Sequence, residues 1–422
     1  MTKIRNIAFS ILIILFLLGP AALWVVQGKL HLSLPSQITA ESANYLLGNA
    51  NTTNVRQNLT VDGFVNEQLQ ASLEKAINNH IPSRANAFLI NAHMQKLAIE
   101  ASNMSFGWDC YPTFYGSQVL YDQKYHSLLS TPFSSSNVTA DALSGIEAFG
   151  EELALFAEAH SEVEICIVVP ELREKSQICP AWNLVSQKWS LADCITIWNE
   201  QIISDGNVHI CYNNYEDYSN YLENYYRYDS HWNGLGAIHA YNQAAKEIHL
   251  PLFSKVPGKN ESLSDYLFYG NLCRQGRILL DGKGQLTEPL FNTEAFTVND
   301  GIANAQVLNA YSLAPEESMY AAFNFYSWYY GDDLSSTIIN ERIENDEAVL
   351  IVCDSFGDAF RWAAASNCRE THSIYDLHRS SKNEASLSSR IENSHATKVV
   401  FVGSIANYST FIDRHPNYFL HD

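Results

Sequence analysis

Four short apolar runs constrain this chain more than any other feature. They are "VEICIVV" (163–169), "VHICY" (208–212), "AVLIVC" (348–353) and "KVVFVG" (398–403). Each is continuously apolar, whereas a strand with one wet face alternates. Continuous runs belong to strands covered on both sides, as in a mostly parallel sheet. Helical patterns lie before the first of them, at 141–160, and between the second and third, at 236–248. This order predicts a doubly wound α/β domain with helices on both faces of the sheet. A length of 422 residues is long for one ordinary domain. It lies within reach of one large α/β domain carrying insertions. Hydrophobic residues make up 46% of the chain and aromatics 12%, enough to bury a core.

The N-terminus reads as a membrane anchor. Lys3 and Arg5 precede Ile7 to Val26, a run without a charged residue. A spanning helix needs ~20 such residues, and the basic flank places the stub at 1–6 in the cytoplasm. A cleaved signal peptide is the alternative, but "LWVVQGK" is a poor cleavage site and the apolar core is long. The expected layout is therefore a stub and anchor over 1–28, a polar tether over 29–60 and an extracytoplasmic domain over 61–422. The expected location is the cell membrane, single-pass. Residues 65–100 carry a helical pattern that Pro82 splits in two. Residues 255–345 read as an irregular, partly β insertion. Within it, "YAAFNFYSWYYGDD" (320–333) holds seven aromatics. Core packing is the favoured reading of that run, with sugar stacking as the alternative.

Charge excludes some partners. The formal net charge is −20, from 46 acidic and 26 basic residues. Nucleic acid needs a basic face, so it is not expected, and a strongly anionic polymer is disfavoured as substrate. All eight cysteines follow the apolar N-terminal run. Cys166, Cys211 and Cys353 sit inside strand-like runs and read as small buried hydrophobes. Cys179 and Cys194 flank a loop and are candidates for a disulfide. No CxxC occurs, so no structural zinc site is expected.

Two stretches could carry chemistry. In "AVLIVCDSFGDAFRWAAA" (348–365) a buried strand ends at Cys353, Asp354-Ser355 follows, and a helix begins after Gly357. Ser355 then sits at the carboxyl edge of the sheet, beside the free N–H groups of a helix start. Helix capping by Asp or Ser is an equally weighted reading. In "YYRYDSHWNGLGA" (225–237), Asp229 and His231 stand two apart before a helix that Asn233 can cap. An extended segment puts i and i+2 on one side, so the carboxylate can orient the imidazole. A solvated loop histidine is the bland alternative. Metal binding is disfavoured, since the next histidine, His239, is eight residues away.

Together, "YDSHWNGLGA" and the later "VLIVCDSFG" resemble the DHHW proteins and the alginate O-acetyltransferases. These are SGNH-hydrolase-like proteins with a permuted motif order. The resemblance covers most of 60–422. "HIPSR" (80–84) is similar to the family's early segment, and "IYDLHR" (374–379) and "VVFVGSIANYS" (399–409) are similar to its closing strands. The resemblance implies Ser355 as nucleophile, His231 as base and Asp229 as its orienting acid. The Ser355 N–H would be one oxyanion donor. Asn407, Tyr408 and Trp232 are the candidates for further oxyanion or substrate contacts. Two positions depart from the pattern: Ser230 replaces a histidine, and Cys353 replaces a glycine where a side chain can crowd the turn. Cys353 as nucleophile is disfavoured, because it ends a buried strand with no activator. The resemblance implies an anchored O-acetyltransferase acting on a cell-envelope or secreted polysaccharide, with a membrane-bound O-acyltransferase as acetyl donor and no cofactor. The alternatives are a carbohydrate acetylesterase with the same triad and a non-catalytic polysaccharide-binding scaffold.

Overall fold

A computed structural model gives the architecture. It describes residues 58–419 apart from 61–62, 65, 67, 73–83, 108, 115–116, 131–139, 174–177, 181–190, 203–205, 214, 264–265, 279, 281–284, 292–295, 300–321, 332–334 and 379–384. The expected anchor, most of the tether, Pro82 and the ends of the 320–333 aromatic run lie outside these residues. Among the described residues, no helix is long and apolar enough to cross a membrane.

The strands are β1 (Cys110–Pro112), β2 (Val119–Asp122), β3 (Ser127–Ser130), β4 (Glu164–Val169), β5 (Val208–Tyr212), β6 (Phe296–Asn299), β7 (Ser336–Asn340), β8 (Ala348–Cys353), β9 (Glu370–Ile374) and β10 (Lys398–Val402). The helices used below are α1 (Arg84–Phe106), α2 (Ala140–Ala159), α3 (Leu191–Ile202), α4 (Tyr218–Asn224), α5 (Gly234–Glu247), α6 (Phe325–Tyr330), α7 (Gly357–Ala365), α8 (Leu387–Ser394), α9 (Ile405–Tyr408) and α10 (Phe411–Arg414).

The main sheet has seven strands in the order β5-β4-β10-β8-β9-β7-β6. The first five run parallel, and β7 and β6 are added antiparallel at one edge. The four apolar runs form β4, β5, β8 and β10, three of them side by side in its centre. Their alternate residues serve opposite faces, as the pleat requires. Ile165, Ile167, Leu350, Val352, Val399 and Phe401 join α2 and α3 in one core. On the other face α5 packs on β4 and β5, and α7 packs on β8 and β9. The sheet is thus mixed α/β and mostly parallel, with helices on both faces. A separate antiparallel sheet, β1-β2-β3, is formed by short runs that the sequence pattern does not mark.

The chain divides into two compact units. Of the described residues, one comprises those from 58 to 107, with 113–114 and 273–278, and the other those of 109–112, 117–272 and 280–419. The first contains α1, which starts two residues after Pro82 and runs past Glu100 to Phe106. The second contains both sheets and every catalytic candidate. The 255–345 stretch supplies β6, β7, α6 and a short helical turn at 270–275 to the chain. No disulfide joins any of the eight cysteines. The candidate Cys179–Cys194 pair is not formed: Cys194 faces inward from α3 into the main core, whereas Cys179 lies beside Cys110 and Arg173.

Candidate active site

The site is built where β8 ends. Cys353 pairs with Val402 of β10, and the Asp354 N–H donates to Val402 O at 3.1 Å. The buried Asp354 carboxylate then accepts three bonds: from Phe356 N at 2.9 Å, Ser404 N at 2.7 Å and Asn407 Nδ2 at 2.7 Å. These tie the turn after β8 to the loop after β10. Gly357 N donates to Asp354 O at 2.9 Å, and Asp358 N to Ser355 O at 3.1 Å, so the chain curls directly into α7. The cap position of α7 is Phe356, with no side-chain cap bond. Ser355 is therefore not spent on capping. Its side chain stays half-buried at the carboxyl edge of the sheet. Among the described residues, nothing accepts a bond from the Ser355 N–H.

Cys353 does not crowd this turn. Its thiol points under the helix start and donates to Ile374 O at 3.4 Å. The crowding falls on Gly357 instead. A Cβ there would come within 2.3 Å of Cys353 Sγ and 2.4 Å of Cys353 Cβ. The side chain gained at 353 is accommodated by the one missing at 357.

His231 comes from the loop between α4 and α5. An antiparallel bridge pairs Tyr225 with Trp232, and Tyr226 N donates to His231 O at 3.3 Å, so 226–231 close as a tight loop. This differs from the extended segment expected. Asp229 and His231 meet because the carboxylate folds back on the loop: Oδ1 accepts from His231 N at 3.1 Å and bonds His231 Nδ1 at 2.6 Å. The far ring nitrogen, Nε2, lies 2.9 Å from Ser355 Oγ. Asn233 caps α5 as expected, accepting from Gly236 N at 3.0 Å.

A backbone crossing secures the acid. Gly270 has φ +65°, and a Cβ there would stand 2.3 Å from Tyr228 O. Only glycine allows this approach. It brings the Asn271 N–H to Asp229 Oδ2 at 2.8 Å. The Asn271 side chain also brackets Ser230, donating to its Oγ at 3.0 Å and accepting from its N at 3.3 Å. Burial alone would raise the Asp229 carboxyl. The charge of His231 and the bonds from His231 and Asn271 outweigh it and hold the carboxyl below its usual range. Asp229 is thus an ionised partner for an imidazolium.

Aromatic packing fixes the imidazole ring. Tyr326 of α6 stacks on His231 with centroids 4.2 Å apart and planes 3° from parallel. The Tyr326 hydroxyl donates to Phe356 O at 3.1 Å and accepts from Ala359 N at 3.2 Å and Trp232 Nε1 at 3.2 Å. One side chain so joins the histidine loop to the nucleophile turn. Beneath α5, the buried Glu288 accepts from Gly234 N at 2.9 Å and from the Tyr330 hydroxyl. Burial pushes its carboxyl up, against the bonds from Tyr226, Tyr330 and Gly234.

The structure brings Asp229, His231 and Ser355 into one hydrogen-bonded chain. Asn407 stands one step behind, donating to Asp354. Tyr408 is fully buried, with its hydroxyl on Val168 O at 3.2 Å. Trp232 is fully buried too, its Nε1 on Tyr326 and Phe356 O. The sequence pattern misses Asn271, Tyr326 and Glu288. Tyr326 lies within the aromatic run flagged at 320–333, but nothing singles it out there; Asn271 and Glu288 carry no local signal. Among the described residues, no group of three or more His, Cys, Asp or Glu is arranged to hold a metal ion.

No family model and no curated protein sequence matches the chain. Solved structures do. A DHHW family protein from Eubacterium siraeum superposes with a TM-score of 0.51 and 17% identity, over 72% of this chain and 97% of that one. PatB1 of Bacillus cereus gives 0.49 and 19%, over 69% and 97%. The O-acetyltransferase domain of Pseudomonas putida AlgJ gives 0.31 and 11%, over 72% and 94%. The chain shares the fold of the first of these.

Proposed function

We propose that this chain is a serine O-acyltransferase that carries an acetyl group on Ser355 and passes it to a hydroxyl of a polysaccharide outside the cytoplasm. The observation that carries the reading is the chain Asp229–His231–Ser355, with links of 2.6 and 2.9 Å, at the carboxyl edge of a parallel sheet. It is supported by the paired Asp-Ser-His-Trp and Asp-Ser-Phe motifs, which resemble those of SGNH-like acetyltransferases.

The steps follow from the geometry. Ser355 Oγ attacks the acyl carbonyl as its proton moves to His231 Nε2. Negative charge gathers on the carbonyl oxygen, where the Ser355 N–H at the start of α7 is open to meet it. Asp229 stabilises the imidazolium through Nδ1. The bond from the acyl carbon to the donor's leaving oxygen breaks, and that oxygen takes the proton from Nε2. A sugar hydroxyl then attacks acetyl-Ser355, giving its proton to Nε2, and the proton returns to Ser355 as the new ester departs. This chemistry calls for no cofactor. The apolar N-terminal run would anchor the chain in the cell membrane, near a membrane-bound O-acyltransferase that hands over the acetyl group.

Intact mass and peptide mapping test the reading, using detergent-solubilised full chain exposed briefly to an activated acetyl ester. Wild type is expected to carry one acetyl on Ser355, and Ser355→Ala and His231→Ala none. Equal labelling of all three, or no labelling and no ester turnover in wild type, would overturn it. Rapid clearance by water without added glycan would turn the reading to an esterase.

A further inference from the structure

We infer that the face between α4 and α5, beside the carboxyl end of β5, is a second glycan subsite that holds a neutral, hydroxyl-rich segment of the acceptor. This rests on the acceptor reading above. Two helices present matching polar faces. On α4 these are Asn220, Glu223 and Asn224, and on α5 His239, Asn242 and Gln243, each at spacing i, i+3, i+4. That spacing puts three side chains on one face of a helix. The two faces line one cleft of about 470 Å³, within the range of sites for small ligands.

The chemistry of the lining selects the ligand. Four of those six side chains are carboxamides, and Asn213 at the end of β5 adds a fifth. Each amide offers donors and an acceptor together, as a sugar hydroxyl does. Neither lysine nor arginine lines the cleft, and Glu223 is its one acid, so an anionic polymer finds no counter-charge there. Tyr215 adds an aromatic wall. The amides are not all consumed by the fold. Asn242 uses Oδ1 on Phe253 N, leaving its amino group. Among the described residues, neither Asn220 nor Gln243 has a side-chain partner. Asn224, 7% exposed, forms the floor and keeps Oδ1 without one. Two solvated helix faces would be expected to carry mixed charges and diverge; these carry amides and converge.

Position fits an extended polymer. The order β5-β4-β10-β8 places three strand steps between β5 and β8, the strand that leads into the Ser355 turn. At ~4.8 Å per step this is ~14 Å along the same sheet edge, so one chain can lie in the cleft while a hydroxyl further along reaches the serine.

The test uses detergent-solubilised full chain on a printed array of neutral and uronic-acid oligosaccharides. Wild type is expected to be retained by neutral members over uronic ones. The double variant Asn220→Ala/Gln243→Ala is expected to bind about tenfold more weakly or worse, as loss of two neutral hydrogen bonds implies. Gln243→Trp, which fills the cleft from an exposed position, should give the same loss. No preference for neutral members, or unchanged binding by both variants, would overturn the inference. Acetyl-Ser355 formation from the activated ester needs no glycan and is read in the same samples. An adduct without neutral glycan retention removes the cleft alone. Retention that the variants abolish, without any adduct, removes the transferase reading alone.

Discussion

Replacing Asn407 by alanine separates a positioning role from a role in binding the oxyanion. Asn407 Nδ2 is one of three donors to the buried Asp354 carboxylate, at 2.7 Å. A hydrogen bond to a charged group contributes ~1.5–3 kcal/mol. Asn407 is half-exposed and water can take its place, so the lower end applies. At ~2.1 cal/mol/K of unfolding entropy per residue, a loss of ~1.5 kcal/mol lowers the Tm of a unit of roughly 300 residues by about 2 °C. Two donors remain on Asp354, so the turn that carries Ser355 should keep its course, and acylation by an activated ester should slow by less than about tenfold. An oxyanion donor behaves in the opposite way: its loss costs ~10²–10³ in rate and little stability. Thermal unfolding and the rate of acetyl-Ser355 formation, measured on the same preparation, decide. A hundredfold slower acylation at unchanged Tm would refute the positioning argument and make Asn407 a direct contact of the reacting acyl group.

Substitutions at three further positions have outcomes set by the same geometry. Asp229→Asn puts an amide N–H₂ against either Asn271 N–H or the imidazole, and acylation should fall by roughly 10⁴, the scale known for this change in serine triads. Because the Asp229 carboxyl is held below its usual range, its stabilising contribution is complete above the ordinary Asp pKa and is lost as pH falls through the folded value. Denaturant midpoints of wild type and Asp229→Asn should therefore draw together in acid. Glu288 has the opposite sign. Its raised carboxyl contributes stability below the ordinary Glu pKa that is lost as pH rises. Glu288→Gln should match wild type in acid and become the more stable of the two towards neutral pH, with a constant difference across pH as the adverse result. Gly357→Ala forces a Cβ onto Cys353. It should cost ~1–3 kcal/mol as overpacking does, and Cys353→Gly in the same chain should recover most of it. Equal, additive losses in unfolding would mean that the two positions do not share the space.

The sheet was legible because its central strands are buried on both faces, which leaves continuous apolar runs of strand length, rich in Val and Ile. β4, β5, β8 and β10 fall within a residue of the runs that mark them. β7 and β9 were not legible. "STIIN" and "ETHSI" mix polar and apolar residues, and Ser336 and Ser373 meet each other across the ladder, a pairing visible only once the strands are adjacent. The same distinction divides the site. Asp229, His231 and Ser355 carry local signals, an Asp-x-His before a helix cap and an Asp-Ser at a strand end. The residues that hold them in place do not. Asn271 acts through its backbone N–H, which any residue has, and what makes it possible is Gly270 passing against Tyr228.

The aromatic run at 320–333 carries that distinction furthest. By composition it suits a core first and a sugar platform second, since both need large flat apolar surfaces. In the structure Tyr326 serves neither purpose alone. Its ring lies against His231 and its hydroxyl joins Trp232, Phe356 O and Ala359 N, so it belongs to the core and to the site together. His231 and Ser355 are 124 residues apart in sequence and come from two loops that share no strand. A base within 2.9 Å of its nucleophile requires those loops to be fixed to each other more firmly than one hydrogen bond can do. Tyr326 supplies that connection from a third segment. Tyr326→Phe keeps the stack and removes the hydroxyl's links, leaving the bond from Trp232 Nε1 to Phe356 O, whereas Tyr326→Leu removes the stack as well. If the stack orients the ring, the acylation rate should fall much further in the leucine variant than in the phenylalanine variant. Equal rates in the two would mean that the hydroxyl alone sets the geometry.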